Sequence, residues 1–279
     1  MQLRKTTVGA ALTLALLPTT AFAATITGDD GNNRIVGTQA GDVIEANGGN
    51  DRVRGRDGAD RIGGGAGDDR LFGNAGDDTV GGSAGNDRVW GNRGNDTLRG
   101  DASGVGDRTS FDRLWGGPGN DTTFGGDARD RLFGGSGDDT QDGEGGSDKM
   151  AGGIGNDLQT GGAGNDLIFA NAGVDTTRGG EGDDVLWALA RTDVPLPGVD
   201  TLDGGPGNDR FRTRDGEADV ITCGDGADRV FADFADVVSD ATAQNPNGSC
   251  EVIQRKAPKP REDRTEAAES APAEQNQQQ

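Results

Sequence analysis

Residues 64–72 read Gly64-Gly65-Ala66-Gly67-Asp68-Asp69-Arg70-Leu71-Phe72, a G-G-x-G-x-D-x-U-x unit in which U is apolar. The unit recurs every nine residues, with few interruptions, from near Gly28 to about Phe231. So short a unit cannot enclose a core alone and must stack on copies of itself, which predicts a solenoid. With the aspartate as position six, that position falls at Asn33, Asp42, Asp51, Asp60, Asp69, Asp78, Asp87 and Asp96. After an insertion it continues at Asp112, Asp121, Asp130, Asp139, Asp148, Asp157, Asp166, Asp175 and Asp184. A second insertion precedes Asp200 and Asp209, and a one-residue slip precedes Asp219 and Asp228.

Any single Gly-Asn-Asp or Gly-Asp-Asp is an ordinary turn. An array of them in one register points to a row of cation sites. Calcium takes six to eight oxygen ligands, and glycine-rich turns expose backbone carbonyls because glycine tolerates positive φ and adds no bulk. The position-six aspartates add carboxylates and charge. They are the candidate metal ligands, together with Asn33.

The nonapeptide resembles the RTX, or haemolysin-type, calcium-binding repeat, over about three quarters of the chain. The resemblance implies an all-β parallel β-roll with two nonapeptides per coil. Six residues of each would form a calcium-binding turn and three a short strand. This motif is one of the general examples of a repeat architecture. Two departures stand out. Family members usually carry a toxin, protease or lipase domain and leave the cell through a dedicated exporter that reads a C-terminal signal. This chain has an N-terminal signal and no segment left for a catalytic domain, so no enzymatic activity is expected.

Composition agrees. The chain has 52 Gly, 48 Asp and Glu, no His, no Tyr and a net charge of -21. Such a chain repels itself and buries little, so metal binding and folding are expected to coincide. The same acidity argues against nucleic acid as a partner.

The sequence divides into residues 1–23, 24–231, 232–255 and 256–279. The first reads as a signal peptide: Arg4 and Lys5, an apolar stretch from Val8 to Leu17 too short to span a membrane, then Ala21-Phe22-Ala23. No other apolar run reads as a transmembrane segment. The expected location is therefore secreted, extracellular or on the cell surface. The second segment is the roll. The third is a C-terminal cap. Cys223 and Cys250 are the two cysteines, and an even count in an exported chain points to a disulfide, with two free thiols as the alternative. The surrounding residues resemble the closing segment of secreted bacterial calcium-repeat proteins. The fourth segment, rich in Pro, Glu, Ala and Gln, reads as a disordered tail.

Two repeats per coil place residues 18 apart above one another, with position eight inward and positions seven and nine outward. One inward column runs Ile35, Val53, Leu71, Val89, Leu114, Leu132, Met150, Ile168, Leu186, Phe211 and Val230. The other runs Ile44, Ile62, Val80, Leu98, Thr123, Gln141, Gln159, Thr177, Leu202 and Ile221. Its four polar members are expected to form a hydrogen-bonded ladder in a weak middle core, or else to mark a register change.

Outside the first sheet, Arg70, Arg88, Arg113 and Arg131 stand beside Phe72, Trp90, Trp115, Phe133, Phe169 and Trp187. The pattern has two readings: a binding face, with rings stacking on sugars and arginines taking acids, or a solubilising cover held by cation–π contacts. The threonines outside the second sheet, such as Thr79 and Thr97, read as strand formers. Arg99-Gly100-Asp101, an adhesion-like tripeptide, is expected from composition alone. Paired acids such as Asp68-Asp69 recur with the repeat and mark no catalytic pair. The functional expectation is an extracellular calcium-assembled structural or interaction module, contacting a polysaccharide, a cell surface or another copy of itself. A dedicated carbohydrate- or cell-wall-binding module is the alternative.

Overall fold

The computed structural model describes residues 22–101, 110–188, 198–239 and 249–257. The signal segment up to residue 21, the tail beyond 257, residues 240–248 of the cap and the insertion residues 102–109 and 189–197 lie outside them.

Two parallel sheets of 12 strands each face one another, and the chain alternates between them at every strand. The result is the stacked solenoid that the spacing predicted, in the β-roll form that the resemblance implied. Arg70 pairs with Arg88, Leu71 with Val89 and Phe72 with Trp90 in one step. The two sheets differ in outer chemistry, and we call them the arginine sheet and the threonine sheet. Each coil advances by one interstrand spacing, so the stack is about 50 Å long.

Both insertions loop out of an unbroken stack. Trp90 sits beside Trp115 across the first and Thr176 beside Thr201 across the second. The slip is absorbed likewise, with Leu202 beside Ile221.

Most strands are longer than the three residues expected, the exceptions being Thr25–Thr27, Arg34–Val36, Val43–Glu45, Val185–Trp187 and Val237–Val238. Arg70–Ala75 and Thr79–Ala84 each span six, because ladder bonding continues through positions one to three. The Ala66 amide donates to Asn47 O (2.6 Å) and the Gly67 amide to Ala84 O (2.7 Å). Only positions four to six remain as the turn.

Both inward columns are buried. Leu71, Val89, Leu114, Leu132, Met150, Ile168, Leu186 and Phe211 are fully enclosed on the arginine sheet. On the threonine sheet the polar run keeps its register, Thr123 beside Gln141 and Gln141 beside Gln159, so no register change occurs. Gln159 Nε2 donates to Gln141 Oε1 at 2.8 Å, and Thr177 Oγ1 to Gln159 Oε1 at 3.3 Å. The expected ladder is therefore present but incomplete. Gln141 Nε2 and Thr123 Oγ1 are buried without partners. These residues divide the apolar interior into an N-terminal cluster, a C-terminal cluster and a small one of Leu132, Met150 and Ile168.

Cys223 and Cys250 form a disulfide with Cα atoms 5.3 Å apart. Cys223 stands at position one, in place of glycine. The segment it anchors does not lie across the end of the roll. It extends both sheets, with Val237–Val238 pairing with Val220–Ile221 and Val252–Arg255 with Arg229–Ala232. The cap is thus a further coil. No helix among the described residues is long and apolar enough to cross a membrane.

Candidate metal centre

Each turn owes its shape to two left-handed positions. Position two takes positive φ even where it is not glycine, as at Asn74, Ser83 and Asn92. Position four is held by glycine for a further reason. The carbonyl of the coil below points along the stack, and a Cβ on Gly67 would fall on Gly49 O. Carbonyl oxygens are thereby lined up coil above coil, where the absence of side chains leaves them accessible.

The position-six aspartates form two buried columns, one at each edge of the roll. In each, the amide of one aspartate donates to Oδ1 of the aspartate one coil later. Asp51 donates to Asp69 at 2.7 Å, Asp69 to Asp87 at 2.8 Å and Asp87 to Asp112 at 2.7 Å. The other column runs likewise from Asp42 to Asp60, Asp78, Asp96 and Asp121. The distances lengthen only at the slip, 3.2 Å from Asp200 to Asp219.

The second oxygen has no such partner. Oδ2 is buried and unbonded at Asp51, Asp60, Asp69, Asp78, Asp87, Asp96, Asp112, Asp121, Asp130, Asp139, Asp148, Asp157, Asp166, Asp175, Asp184, Asp209, Asp219 and Asp228. It packs against the position-one glycine of its own turn. A Cβ on Gly64 would meet Asp69 Oδ2 and lie 2.7 Å from Gly82 O.

Burial pushes these carboxyls upward, against the pull of the amide each accepts. Asp112, Asp148 and Asp219 rise to about 9, Asp139 and Asp175 to about 8, and Asp78, Asp87 and Asp121 to about 7. Neighbouring aspartates in the columns add to the rise. A buried anion whose oxygen lone pairs meet no donor, with other anions beside it, needs a cation.

The donor set indicates which one. Among the described residues no three Asp, Glu, Cys or His side chains converge. A site here must combine a carboxylate with main-chain carbonyls, which are hard oxygen donors suited to calcium and not to zinc. The residues therefore fit calcium, held by position-six aspartates and carbonyls of the glycine turns.

Three expected ligands, Asn33, Asp42 and Asp200, lack a buried, unbonded second oxygen; Asp200 still accepts the Asp175 amide at 2.9 Å. Asn33 turns back on its own loop, accepting the Asp29 amide at 3.0 Å. Asp42 is satisfied by Thr38 and the Ala24 amide. Conversely, two carboxylates that the repeat does not reveal close the columns. Asp236 accepts the Asp219 amide at 3.3 Å and Thr213 Oγ1 at 2.7 Å. Glu251 accepts the Asp228 amide at 2.5 Å. Both lie outside the nine-residue spacing, and only the acid type in the cap hinted at them.

Position five carries a second ladder. The Asn86 amide donates to Asp68 Oδ1 (2.9 Å), Asn95 to Asp77 (2.8 Å) and Asn120 to Asn95 (2.8 Å). These bonds run toward the N-terminus, opposite to those at position six. The paired acids of Asp68-Asp69 and Asp77-Asp78 thus have separate duties, one exposed and one buried.

The aromatic column stacks on itself. Phe72, Trp90, Trp115 and Phe133 lie nearly parallel with centroids 4.5, 4.6 and 5.9 Å apart. Phe169 and Trp187 tilt against each other at 5.6 Å. The ring faces that would receive sugars are occupied by neighbouring rings, and Phe72, Trp115 and Phe169 are buried. Arg52 lies over Phe72 and Arg113 over Phe111, so cation–π contacts of the covering kind are present. The adhesion-like tripeptide is not displayed: Arg99 packs on the Phe124 ring at 3.9 Å, and Asp101 is buried against Ser110.

The chain matches the RTX calcium-binding nonapeptide repeat (4 copies) at residues 27–62, 55–89, 63–98, 109–130, 124–159, 160–186 and 196–230. No curated protein matches it. With those matches covering more than half of its length, along a roll whose two aspartate columns suit calcium, the chain belongs to the RTX calcium-binding nonapeptide-repeat family.

Proposed function

We propose that the chain is an exported protein whose roll assembles on rows of calcium ions and then serves outside the cell as a structural or interaction module, not as an enzyme. The observation that carries this reading is the series of buried, unbonded aspartate oxygens. At neutral pH those anions oppose the fold, and bound calcium supplies the compensating charge. Where calcium is scarce the chain stays open, which suits translocation. Where calcium is abundant it closes. The signal-like segment at residues 1–23 supports export. The test is far-UV circular dichroism of Ala24 to Gln279 after chelation, titrated with calcium. A cooperative gain of sheet, reversed by chelator and absent with magnesium, is expected. A sheet signal already complete in chelator would mean that hydrogen bonds alone hold the turns, and the reading would fail.

A further inference from the structure

Position seven of six successive strands on the arginine sheet is arginine: Arg34, Arg52, Arg70, Arg88, Arg113 and Arg131. Each is the registered neighbour of the next. Adjacent strands are about 4.8 Å apart, so the row is straight and about 24 Å long. Among the described residues none of the six is in an ion pair with a carboxylate.

Ring cover accounts for part of the row, with Arg52 over Phe72 and Arg113 and Arg131 over Phe111, but among the described residues Arg34, Arg70 and Arg88 have no such contact. Like charges directly opposite on neighbouring strands destabilise a sheet. A chain with 48 acids and 27 bases has acids to spare for pairing, yet leaves this line unpaired. The matching positions on the other sheet are mostly threonine, as at Thr79, Thr97 and Thr122.

We propose that the row is a docking rail for a linear, carboxylate-bearing polysaccharide laid along the stack axis. A guanidinium grips a carboxylate through two parallel hydrogen bonds, and a straight file of guanidinia suits an extended polymer with acid groups at regular intervals. Duplex nucleic acid fits less well. Its phosphates follow a helical path that leaves a straight row, and the occupied ring faces give unpaired bases nothing to stack on. The rail rests on the assembled-roll reading, because in the extended chain these arginines lie 18 or 25 residues apart. Calcium loading also offsets the negative field that holds polyanions away.

The test is fluorescence anisotropy of labelled carboxymethyl-dextran with the chain from Ala24 to Gln279 in calcium, with uncharged dextran as control and circular dichroism on every sample. The charged polymer is expected to bind and the neutral one not, with affinity falling as salt rises. The R70Q/R88Q/R113Q/R131Q variant is expected to lose at least about tenfold. The R61Q/R178Q variant, altered on the other sheet, should bind as the parent does. If the fourfold variant lacks sheet, R88Q and R113Q singly should each lose about threefold. Retained binding by the folded fourfold variant would overturn the rail, since calcium bridging through the acidic turns would survive those changes. So would equal loss in R61Q/R178Q, absence of binding, or tighter arginine-dependent binding of duplex DNA. A roll that folds and does not bind sinks the rail alone. A sample without sheet in calcium sinks the assembled-roll reading as well.

Discussion

The buried glutamines of the middle core give a prediction in which one change and two changes have opposite signs. Gln141 and Gln159 are 1% and 0% exposed. Their amides share one good hydrogen bond, and Gln141 Nε2 has none. Replacing Gln159 alone by leucine removes the donor to Gln141 Oε1 and strands the whole Gln141 amide. A stranded buried amide costs about 1–3 kcal/mol, so Q159L should lose about 1–2 kcal/mol even after the gain in apolar contact. Replacing both removes the stranded group. The pair loses a bond worth about 1 kcal/mol net and the weak contact from Thr177, but also loses an amide nitrogen that was never satisfied. Two leucines then add apolar surface to the middle core, with Thr123 still between it and Leu98 and Thr177 between it and Leu202. The double variant should exceed the parent by about 2 kcal/mol, and so exceed Q159L by about 3–4 kcal/mol. Urea unfolding at saturating calcium, followed by circular dichroism, measures both. A stabilised single variant or a destabilised double variant would refute the account of this ladder.

Three further outcomes follow from the same coordinates. In chelator, the raised aspartates favour the fold while protonated, so that contribution is full below the ordinary value of 3.8 and is lost as pH rises through about 6 to 9. The metal-free chain should therefore show more sheet at pH 5 than at pH 8, and more sheet at pH 8 would contradict the burial of these carboxyls. Gly67→Ala should lose stability through its φ of 123° and the Gly49 carbonyl. Gly81→Ala, with nothing within 4 Å of the added carbon, should be neutral or gain up to about 1 kcal/mol; equal melting of the two variants would count against the stacked turn. Reduction or replacement of Cys223–Cys250, which closes a separation of 27 residues, should cost roughly 3–4 kcal/mol, read as a lower urea midpoint in calcium.

The columns were legible because a nine-residue spacing and a two-residue strand period leave no freedom once two repeats make a coil. Ile35 through Val230 and Ile44 through Ile221 lie where the spacing put them. Strand length was not legible. Glycine and asparagine at positions one to three carry turn composition, yet their amides bond to adjacent coils as strand residues do. The position-five ladder was hidden because Asn and Asp are the usual residues of any turn, and only stacking shows their side chains reaching the next amide. Asp236 and Glu251 escaped because the chain leaves its period there. The aromatic column was legible, with a binding face and a cover both open; that its rings stack on one another was not, because only the close spacing of coils brings them together.

The direction of the position-six bonds sets an order of assembly. Each aspartate amide is answered by the carboxylate of a coil that comes later in the chain. A chain threading N-terminus first through a pore cannot complete any coil until its successor has emerged, so every finished turn waits on the one behind it. A purely periodic chain would always end with two amides unanswered. Asp236 and Glu251 answer them, and the disulfide keeps that final coil in place. That final coil is thus the keystone of the stack, and removing it would reopen the stack from the end.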